Sequence, residues 1–197
     1  MEEAQGGKVT IISVGGADYE PIMRKALAIG ADEAVRVDSQ AIDAYQVAAE
    51  IANYAKSGGF DLILTGKETI NYNGSQVGGM IAAILDNAYV SNATKLDVSG
   101  NTAAVERDKQ GGVEVLEVTL PAVISAAKGM AEQRIPNMRG IMAARSKPLT
   151  VLAATVSESL TETINFTLPP AKGDVKLVDP ADMNELVRLL HNEAKAI

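Results

Sequence analysis

The chain contains no cysteine and a single histidine, His191. Without cysteine it can form no disulfide, thiolate metal site, iron–sulfur cluster or cysteine nucleophile. One histidine cannot share a metal ion with a second, so His191 is interpreted as a surface residue of a terminal helix. Ser13 and Ser125 have no histidine–carboxylate pair in view, which disfavours a hydrolytic triad. We therefore predict neither a metal site nor a catalytic side chain.

Positive charge and long apolar runs are also scarce. The net charge of −7 argues against non-specific binding to nucleic acid or to an anionic membrane, because both need clustered positive charge. No stretch is long and apolar enough to span a membrane, and residues 1–5 lack the basic and apolar regions of a signal peptide. With 47% hydrophobic residues the chain can bury one substantial core. A soluble, cytoplasmic domain is predicted.

Strand and helix patterns alternate along the first part of the chain. Runs of β-branched and apolar residues are each followed by residues with helical periodicity. The third run is apolar enough to be buried on both faces, and Ser75 can cap the helix that follows it. The alternation predicts an α/β fold with a parallel, doubly wound sheet and helices on both faces. The predicted strands are 8–15, 33–39 and 60–66, and the predicted helices are 21–30, 41–59 and a third from residue 75.

The second part of the chain has a different period. Residues 93–127 read as antiparallel strands with turns at 99–101 and 110–112, and they return through Pro121 to a last buried strand. Residues 149–178 contain two short β-like pieces and two adjacent prolines, which indicate an extended arm. A terminal helix follows, with Asp179 as its predicted cap and Pro180 in its first position.

The polar stretch between the third strand and its helix is a candidate phosphate site. Ligands of open α/β sheets bind beyond the carboxyl ends of the strands, where a helix N-terminus attracts anions. Glycines allow close approach of the backbone, and uncharged polar side chains bind ribose or phosphate without repulsion. An ordinary polar loop with a helix cap is the alternative, because the stretch is neither a Walker loop nor a Rossmann fingerprint. The candidate residues are Gly66, Asn71, Asn73, Gly74, Ser75 and Gln76.

Basic charge is concentrated at residues 128–148 of this otherwise acidic chain. Methionines and isoleucines are interleaved with the basic residues. Arginine and methionine are over-represented at protein interfaces, so we predict a partner surface, with a place in the core as the alternative for the apolar residues. The basic residues are Lys128, Arg134, Arg139, Arg145 and Lys147, and the apolar ones include Met130, Met138, Ile141 and Met142.

Several separated motifs, in order, resemble the β subunit of electron transfer flavoproteins over nearly the whole chain. The sequence MRKALAIGAD at 23–32, the stretch Gly66–Gly78, the stretch Arg134–Met142 and the C-terminal arm and helix are all similar to family segments. The hairpin carries the family signature, with Gln110 where an acidic residue is usual. Its matching residues are Val105, Arg107, Gly111, Gly112, Glu114, Leu116, Pro121, Val123, Ile124 and Ser125.

The resemblance implies a heterodimer that carries electrons from flavoprotein dehydrogenases, such as acyl-CoA dehydrogenases, to a quinone reductase. FAD would be held mainly by the α subunit, and this chain would bind AMP or, as in electron-bifurcating relatives, a second FAD. The implied nucleotide-binding residues are Val14, Gly66, Lys67, Asn71, Asn73, Gly74, Ser75, Gln76, Val77 and Gly78. The implied dehydrogenase-docking residues are Arg134, Met138, Arg139, Ile141, Met142 and Arg145, with Met138 as the apolar anchor.

Two departures from the family pattern bear on these expectations. Asparagines replace the aspartates that are common in the family's nucleotide loop, which leaves the choice between AMP and FAD open. Relatives also begin with a strand and a long loop before the helix that Met1–Gln5 would finish. Residues 1–148 are therefore expected to form an N-terminally incomplete nucleotide-binding domain, and residues 149–197 an arm and helix that pack on the α subunit.

If that first strand, central in the family, is missing, the remaining strands either close over the gap or leave exposed edges that favour association. The alternative functions are a subunit of an electron-bifurcating flavoprotein and a stand-alone nucleotide-binding regulatory domain.

Overall fold

The computed structural model describes residues 6–197, so the helix end expected at Met1–Gln5 lies outside the described residues. The chain forms two compact units, residues 1–163 and residues 164–197. The strands are β1 (Thr10–Val14), β2 (Glu33–Asp38), β3 (Leu62–Gly66), β4 (Ala88–Ser99), β5 (Thr102–Lys109), β6 (Gly112–Thr119), β7 (Ala122–Ala126) and β8 (Leu149–Ala153). The helices are α1 (Glu20–Ala28), α2 (Ala44–Gly58), α3 (Val77–Leu85), α4 (Met138–Ala144) and α5 (Met183–Asn192).

The strands form two hydrogen-bonded sheets. One has the order β1-β2-β8 and is entirely parallel. The other has the order β3-β7-β4-β5-β6, in which β7 pairs in parallel with both β3 and β4, while β4, β5 and β6 form an antiparallel meander. The predicted α/β class, with a mostly parallel sheet and an antiparallel hairpin, is confirmed. The turns predicted at 99–101 and 110–112 connect β4 to β5 and β5 to β6.

Three apolar clusters form the core of the described residues, and helices contribute to two of them. Met23 and Leu27 of α1 pack with Ala34 of β2, and Ala144 of α4 joins this cluster. The helices α2 and α3 pack on the second sheet, where Ile81 contacts the buried strand β7. The third cluster lies between β4, β5, β6 and β7. Helices α1, α2 and α3 each bury an apolar face because one face of a helix at a sheet surface is removed from water.

A gap separates the two sheets. Among the described residues, β1 is paired with β2 and β3 with β7, so the strands do not close over the position of the expected central strand. A cavity of about 180 Å³ lies there, lined by β1, by β3 and by Ile51, Tyr54 and Ala55 of α2. The expectation that residues 60–66 are buried on both faces is wrong, since Leu64 is 49% exposed. An apolar strand is buried only where neighbours cover both of its faces.

The C-terminal region departs from the sequence prediction at two points. Of the two β-like pieces, the first forms β8, in register with β2, and residues 154–178 contain no strand. Helix α5 begins at Met183 with Asp182 as its cap, which accepts a hydrogen bond from the Glu185 backbone N–H at 3.0 Å. The predicted cap, Asp179, instead accepts from the Ala181 backbone N–H at 2.9 Å and stabilises the preceding turn.

Candidate functional site

The carboxyl ends of β3, β7 and the first half of β4 lie side by side. Gly66 is paired with Ala126, which also faces Ala93 of β4, and the Lys67 backbone N–H donates to the Ala126 carbonyl at 3.0 Å. The register of β4 against β7 shifts between Val90 and Ala93, where the chain bulges. Such edges of parallel sheets are the usual place for ligands in open α/β folds. The polar loop 67–76 starts there and is exposed throughout.

The conformation of this loop overturns the predicted helix cap. Ser75 has a φ of 52° and Asn73 a φ of 50°, both in the left-handed region, and α3 begins only at Val77. The cap position is held by Gln76, which makes no side-chain hydrogen bond to the helix. Because the first backbone N–H groups of a helix have no intrahelical acceptor, the start of α3 presents donors and a positive dipole end to an anion.

Gly78, in the first turn of α3, is the glycine of the site with a steric requirement. A Cβ atom there would lie 2.7 Å from Thr65 Oγ1 and 3.1 Å from a ring carbon of Tyr89. At Gly66 and Gly74 the nearest protein atoms would be 4.0 Å and 3.7 Å away, so neither glycine is required by contacts within the chain. Gly66 and Gly74 thus leave open space beside the loop, while Gly78 lets α3 lie close to β3 and β4.

Three further residues around the loop were missed by the sequence interpretation. Thr65 Oγ1 is buried and has no hydrogen-bond partner among the residues that the structure describes. Ile70 and Tyr72 are 95% and 75% exposed, although both are large and apolar in character. The sequence signal that could have identified Ile70 and Tyr72 was the presence of two such side chains inside a polar loop. A large apolar side chain is costly to leave in water, so its position in an exposed loop is unusual.

The charges of the loop favour an anion. Residues 69–79 contain no carboxylate. The one acidic residue at the start of the loop, Glu68, is paired with Lys67 at 3.1 Å. Both partners of that pair are partly exposed, so it contributes little to stability. A phosphate at the start of α3 would therefore meet amide, hydroxyl and backbone donors without a facing negative charge on this segment.

The predicted nucleotide-binding residues do not all share one sheet. The stretch Gly66–Gly78 is a continuous strand end, loop and helix start. Val14 ends β1 in the other sheet, where it is paired with Val37. The cavity between the sheets is lined by neither Val14 nor the loop. The structure thus brings the loop residues Gly66–Gly78 together, whereas Val14 lies on the other side of the gap between the two sheets.

The predicted docking residues lie on and around α4. Asn137 caps this helix by accepting a hydrogen bond from the Gly140 backbone N–H at 2.8 Å. Met138 is 74% exposed and Met142 66% exposed, and Ile141 is also exposed. These three apolar side chains are therefore not part of the core, whereas Met130 is partly buried and packs against the cluster between β4, β5, β6 and β7. Arg134, Arg139 and Arg145 are exposed along the same segment.

Lys147, at the end of the basic stretch, contacts its own chain. Its Nζ donates to the carbonyls of Ala31 at 2.5 Å and Leu27 at 3.1 Å, where α1 ends. In return, Arg24 of α1 donates to the carbonyls of Ala144 at 2.8 Å and Lys147 at 2.6 Å. Cations are favourable at the carbonyl ends of helices. Lys147 therefore stabilises the packing of α1 and α4 and is not part of the exposed basic surface.

The structure also shows the environments of His191 and Ser125, two of the residues for which no catalytic role was predicted. His191 is exposed on α5, as predicted. Ser125 is buried, and its Oγ accepts a hydrogen bond from the Asn92 backbone N–H at 3.0 Å, at the bulge of β4.

Parallel strands, flanking helices and a polar loop at the carboxyl edge define the chain as an α/β protein with one mostly parallel and one mixed sheet. The model of the electron transfer flavoprotein domain matches residues 1–157. The chain belongs to the electron transfer flavoprotein family, and its similarity to β subunits, such as that of Bacillus subtilis, identifies it as a member of the β-subunit group. Among the described residues, no helix combines the length and the apolar character needed to cross a membrane.

Similar proteins come from several kinds of organism. The electron transfer flavoprotein subunit beta of Bacillus subtilis is 38% identical, over 100% of this chain and 82% of the relative. The protein of the same name from Sus scrofa is 35% identical, over 75% of this chain and 60% of the relative. The caffeyl-CoA reductase-Etf complex subunit CarD of Acetobacterium woodii is 28% identical, over 98% of this chain and 79% of the relative.

Proposed function

We propose that this chain, with an α subunit, forms an electron transfer flavoprotein that carries electrons from flavoprotein dehydrogenases to a quinone reductase. Acyl-CoA dehydrogenases are the proposed donors. FAD would be bound mainly by the α subunit. It would supply the redox chemistry by accepting and releasing electrons. This chain would bind an adenine nucleotide at Gly66–Gly78 and dock the dehydrogenase through α4. From the sequence we also propose a cytoplasmic location.

The single observation that supports the nucleotide site best is the start of α3. Its cap residue, Gln76, leaves the first-turn N–H groups without a side-chain acceptor, and the adjacent loop is open and lacks carboxylates from residue 69 onward. Backbone N–H groups at a helix start are suited to a phosphate. The Asn73 backbone N–H already donates to the Thr69 carbonyl at 2.9 Å. In the proposal, the N–H groups from Gly74 to Val77 are therefore the main donors, and Ser75 and Gln76 add side-chain donors.

Negative charge placed in the loop is expected to weaken nucleotide binding. Replacing both Gly74 and Gln76 by glutamate should lower the affinity of the heterodimer for AMP or FAD at least about tenfold, which corresponds to about 1.4 kcal/mol, because carboxylates would repel the phosphate. Isothermal calorimetry on the reconstituted heterodimer measures this change. The matched control places glutamates at Gln110 and Gly112, in the turn between β5 and β6, where Gly112 has no other atom near its Cβ position. Unchanged affinity in the loop variant would exclude the site.

The nucleotide content of the purified heterodimer separates the two flavoprotein functions. One FAD with one AMP indicates an electron carrier, and two FAD molecules indicate an electron-bifurcating complex. The second candidate rests on the resemblance to electron-bifurcating relatives. A protein that is similar along almost the whole chain is named as a subunit of a caffeyl-CoA reductase complex.

The isolated chain is expected to hold no flavin and to be marginally stable. The gap between β1 and β3 leaves strand edges and apolar side chains such as Leu64 accessible, and such edges promote association. Coexpression with the α subunit should therefore raise the soluble yield, measured by size-exclusion chromatography with flavin absorbance. A stable monomer that binds FAD tightly without a partner would contradict this and would favour the stand-alone regulatory domain.

A further inference from the structure

The segment that follows β8 is bound to α2 by a buried carboxylate. Glu50 of α2 is only 3% exposed. Its Oε1 accepts hydrogen bonds from the backbone N–H groups of Thr155 and Val156, both at 2.6 Å. Its Oε2 accepts from the Thr155 hydroxyl at 2.8 Å. Hydrogen bonds to an ionised group are roughly twice as strong as neutral ones, and a buried carboxylate depends on them. Glu50 therefore fixes the backbone at the beginning of this segment.

A second carboxylate on the same helix fixes the end of the segment. Asp43 caps α2 through Oδ1, which accepts from the Gln46 backbone N–H at 2.9 Å. Its Oδ2 accepts from the backbone N–H groups of Leu160 at 2.6 Å and Thr161 at 2.9 Å. Burial alone would raise the pKa of Asp43, but these hydrogen bonds outweigh it and the pKa is lowered. The interactions thus favour the charged carboxylate.

The spacing of these residues matches the helix. Asp43 and Glu50 are separated by seven residues, about two helical turns or roughly 10 Å, so they lie on one side of α2. Between them, Gln46 Nε2 donates to the Ser157 carbonyl at 3.4 Å. Three residues on one side of α2, Asp43, Gln46 and Glu50, therefore hydrogen-bond to the backbone of residues 155–161.

The chain beyond this segment carries apolar side chains without cover. Ile164, Phe166 and Leu168 alternate along the extended chain and are 95%, 75% and 93% exposed. Exposed apolar residues in such a row indicate a surface that a partner covers. Residues 164–197 form a compact unit separate from residues 1–163. Two residues, Glu162 and Thr163, separate the clamped segment from this unit.

We propose that Asp43 and Glu50 form a two-point clamp that holds residues 155–161 on α2 and so fixes the point from which residues 164–197 reach the α subunit. The arm's role in binding the α subunit rests on the proposed function. An unclamped chain would be flexible from residue 154 onward, and its ordering would then oppose association. The clamp orders these residues before the partner binds.

The test uses substitutions that preserve the fold of α2. Asp43→Ser keeps a good helix cap but shortens the side chain that reaches Leu160 and Thr161. Glu50→Gln keeps the shape and one acceptor oxygen while it removes the charge. Thr155→Val removes the hydroxyl donor to Glu50 from the opposite side of the contact, together with the acceptor of a longer hydrogen bond from Asn53 Nδ2 at 3.3 Å. Glu158→Gln, at an exposed position of the same segment, is the matched control for loss of charge.

Hydrogen exchange tests whether the clamp exists, and the dissociation constant of the heterodimer tests whether it positions the arm. Hydrogen exchange on the isolated chain should show at least about tenfold faster exchange at the amides of 155, 156, 160 and 161 in the Asp43→Ser, Glu50→Gln double variant, since each tenfold loss of protection corresponds to about 1.4 kcal/mol. Thr155→Val should accelerate exchange at 155 and 156 alone. The dissociation constant of the heterodimer should rise about tenfold in the double variant. Glu158→Gln should change neither quantity.

Each contrary result has its own meaning. Unchanged exchange in the double variant would refute the clamp, whatever the partner does. Faster exchange with an unchanged dissociation constant would refute the positioning of the arm. If the unaltered chain forms no heterodimer, the proposed function fails and the positioning role fails with it, whereas exchange on the isolated chain still decides whether the clamp exists.

Discussion

Replacing Met138 by alanine is expected to weaken docking of a flavoprotein dehydrogenase by about 1–3 kcal/mol, as truncation of a central hot spot does. Met138 is the first residue of α4 and is 74% exposed, so it is available to a partner. Methionine is flexible enough to fill an irregular apolar pocket. Because its side chain makes little contact with the core, flavin content and thermal stability should stay unchanged.

The measurement is the rate of flavin reduction in the heterodimer by an acyl-CoA dehydrogenase as a function of dehydrogenase concentration. Val113→Ala is the control, because Val113 is an apolar residue of β6 that is 62% exposed and lies outside both α4 and the C-terminal arm. In the proposal, Arg139 and Arg145 steer the encounter, so their substitution should alter the association rate and its salt dependence more than the lifetime of the complex. A lower melting temperature of Met138→Ala with normal electron transfer would refute the docking role.

Gly140→Ala is expected to destabilise the chain by about 1–2 kcal/mol net, from overpacking of up to about 3 kcal/mol offset by about 1 kcal/mol of helix propensity. Gly140 lies in α4 against the end of α1, and a Cβ atom there would collide with the Ala28 carbonyl oxygen. A backbone atom cannot rotate away as a side chain can, so α4 would have to move off α1. The reciprocal contacts of Arg24 and Lys147 would be strained with it.

The sign of the effect makes this prediction decisive. Alanine is the better helix former, so an alanine that fitted would raise the stability of α4. Thermal and urea unfolding of the isolated chain measure the change, with Gly112→Ala as the control because no other atom lies near its Cβ position. An unchanged or higher melting temperature would show that α1 and α4 are not in close contact. Together with Met138→Ala, the result separates the docking surface from the packing that supports it.

Much of the local structure follows from the sequence because it depends on neighbours along the chain. The alternation of apolar strands and helices was predicted and is confirmed, as are the turns at Gly100 and Gly111, which have positive φ values of 56° and 89°. The exposure of Leu64 was not predictable from its own segment, since the burial of a strand depends on which strands pair beside it. The helix cap at Ser75 was wrong because the loop holds that residue at a φ of 52°.

The candidate site also has parts that were predictable from the sequence and parts that were not. Its loop, Gly66–Gly78, was predicted from strand, polar loop and helix in succession, and the structure shows it open at the start of α3. The sequence could not show that Val14 lies on the other sheet or that Thr65 Oγ1 is buried without a partner, because both depend on contacts between distant segments. It identified Lys147 as one more positive charge, whereas the fold places its Nζ at the carbonyls that end α1.

The sequence by itself determined the fold class, the absence of thiol chemistry, the acidic balance of the chain and the concentration of basic residues and methionines at residues 128–148. These follow from composition and from periodicity, which act over a few residues. Only the tertiary structure decided that the sheet is divided at β1 and β3 and that Asp43 and Glu50 bind residues 155–161. Their partners are separated by more than a hundred positions along the chain, so only folding brings the donors to the carboxylates.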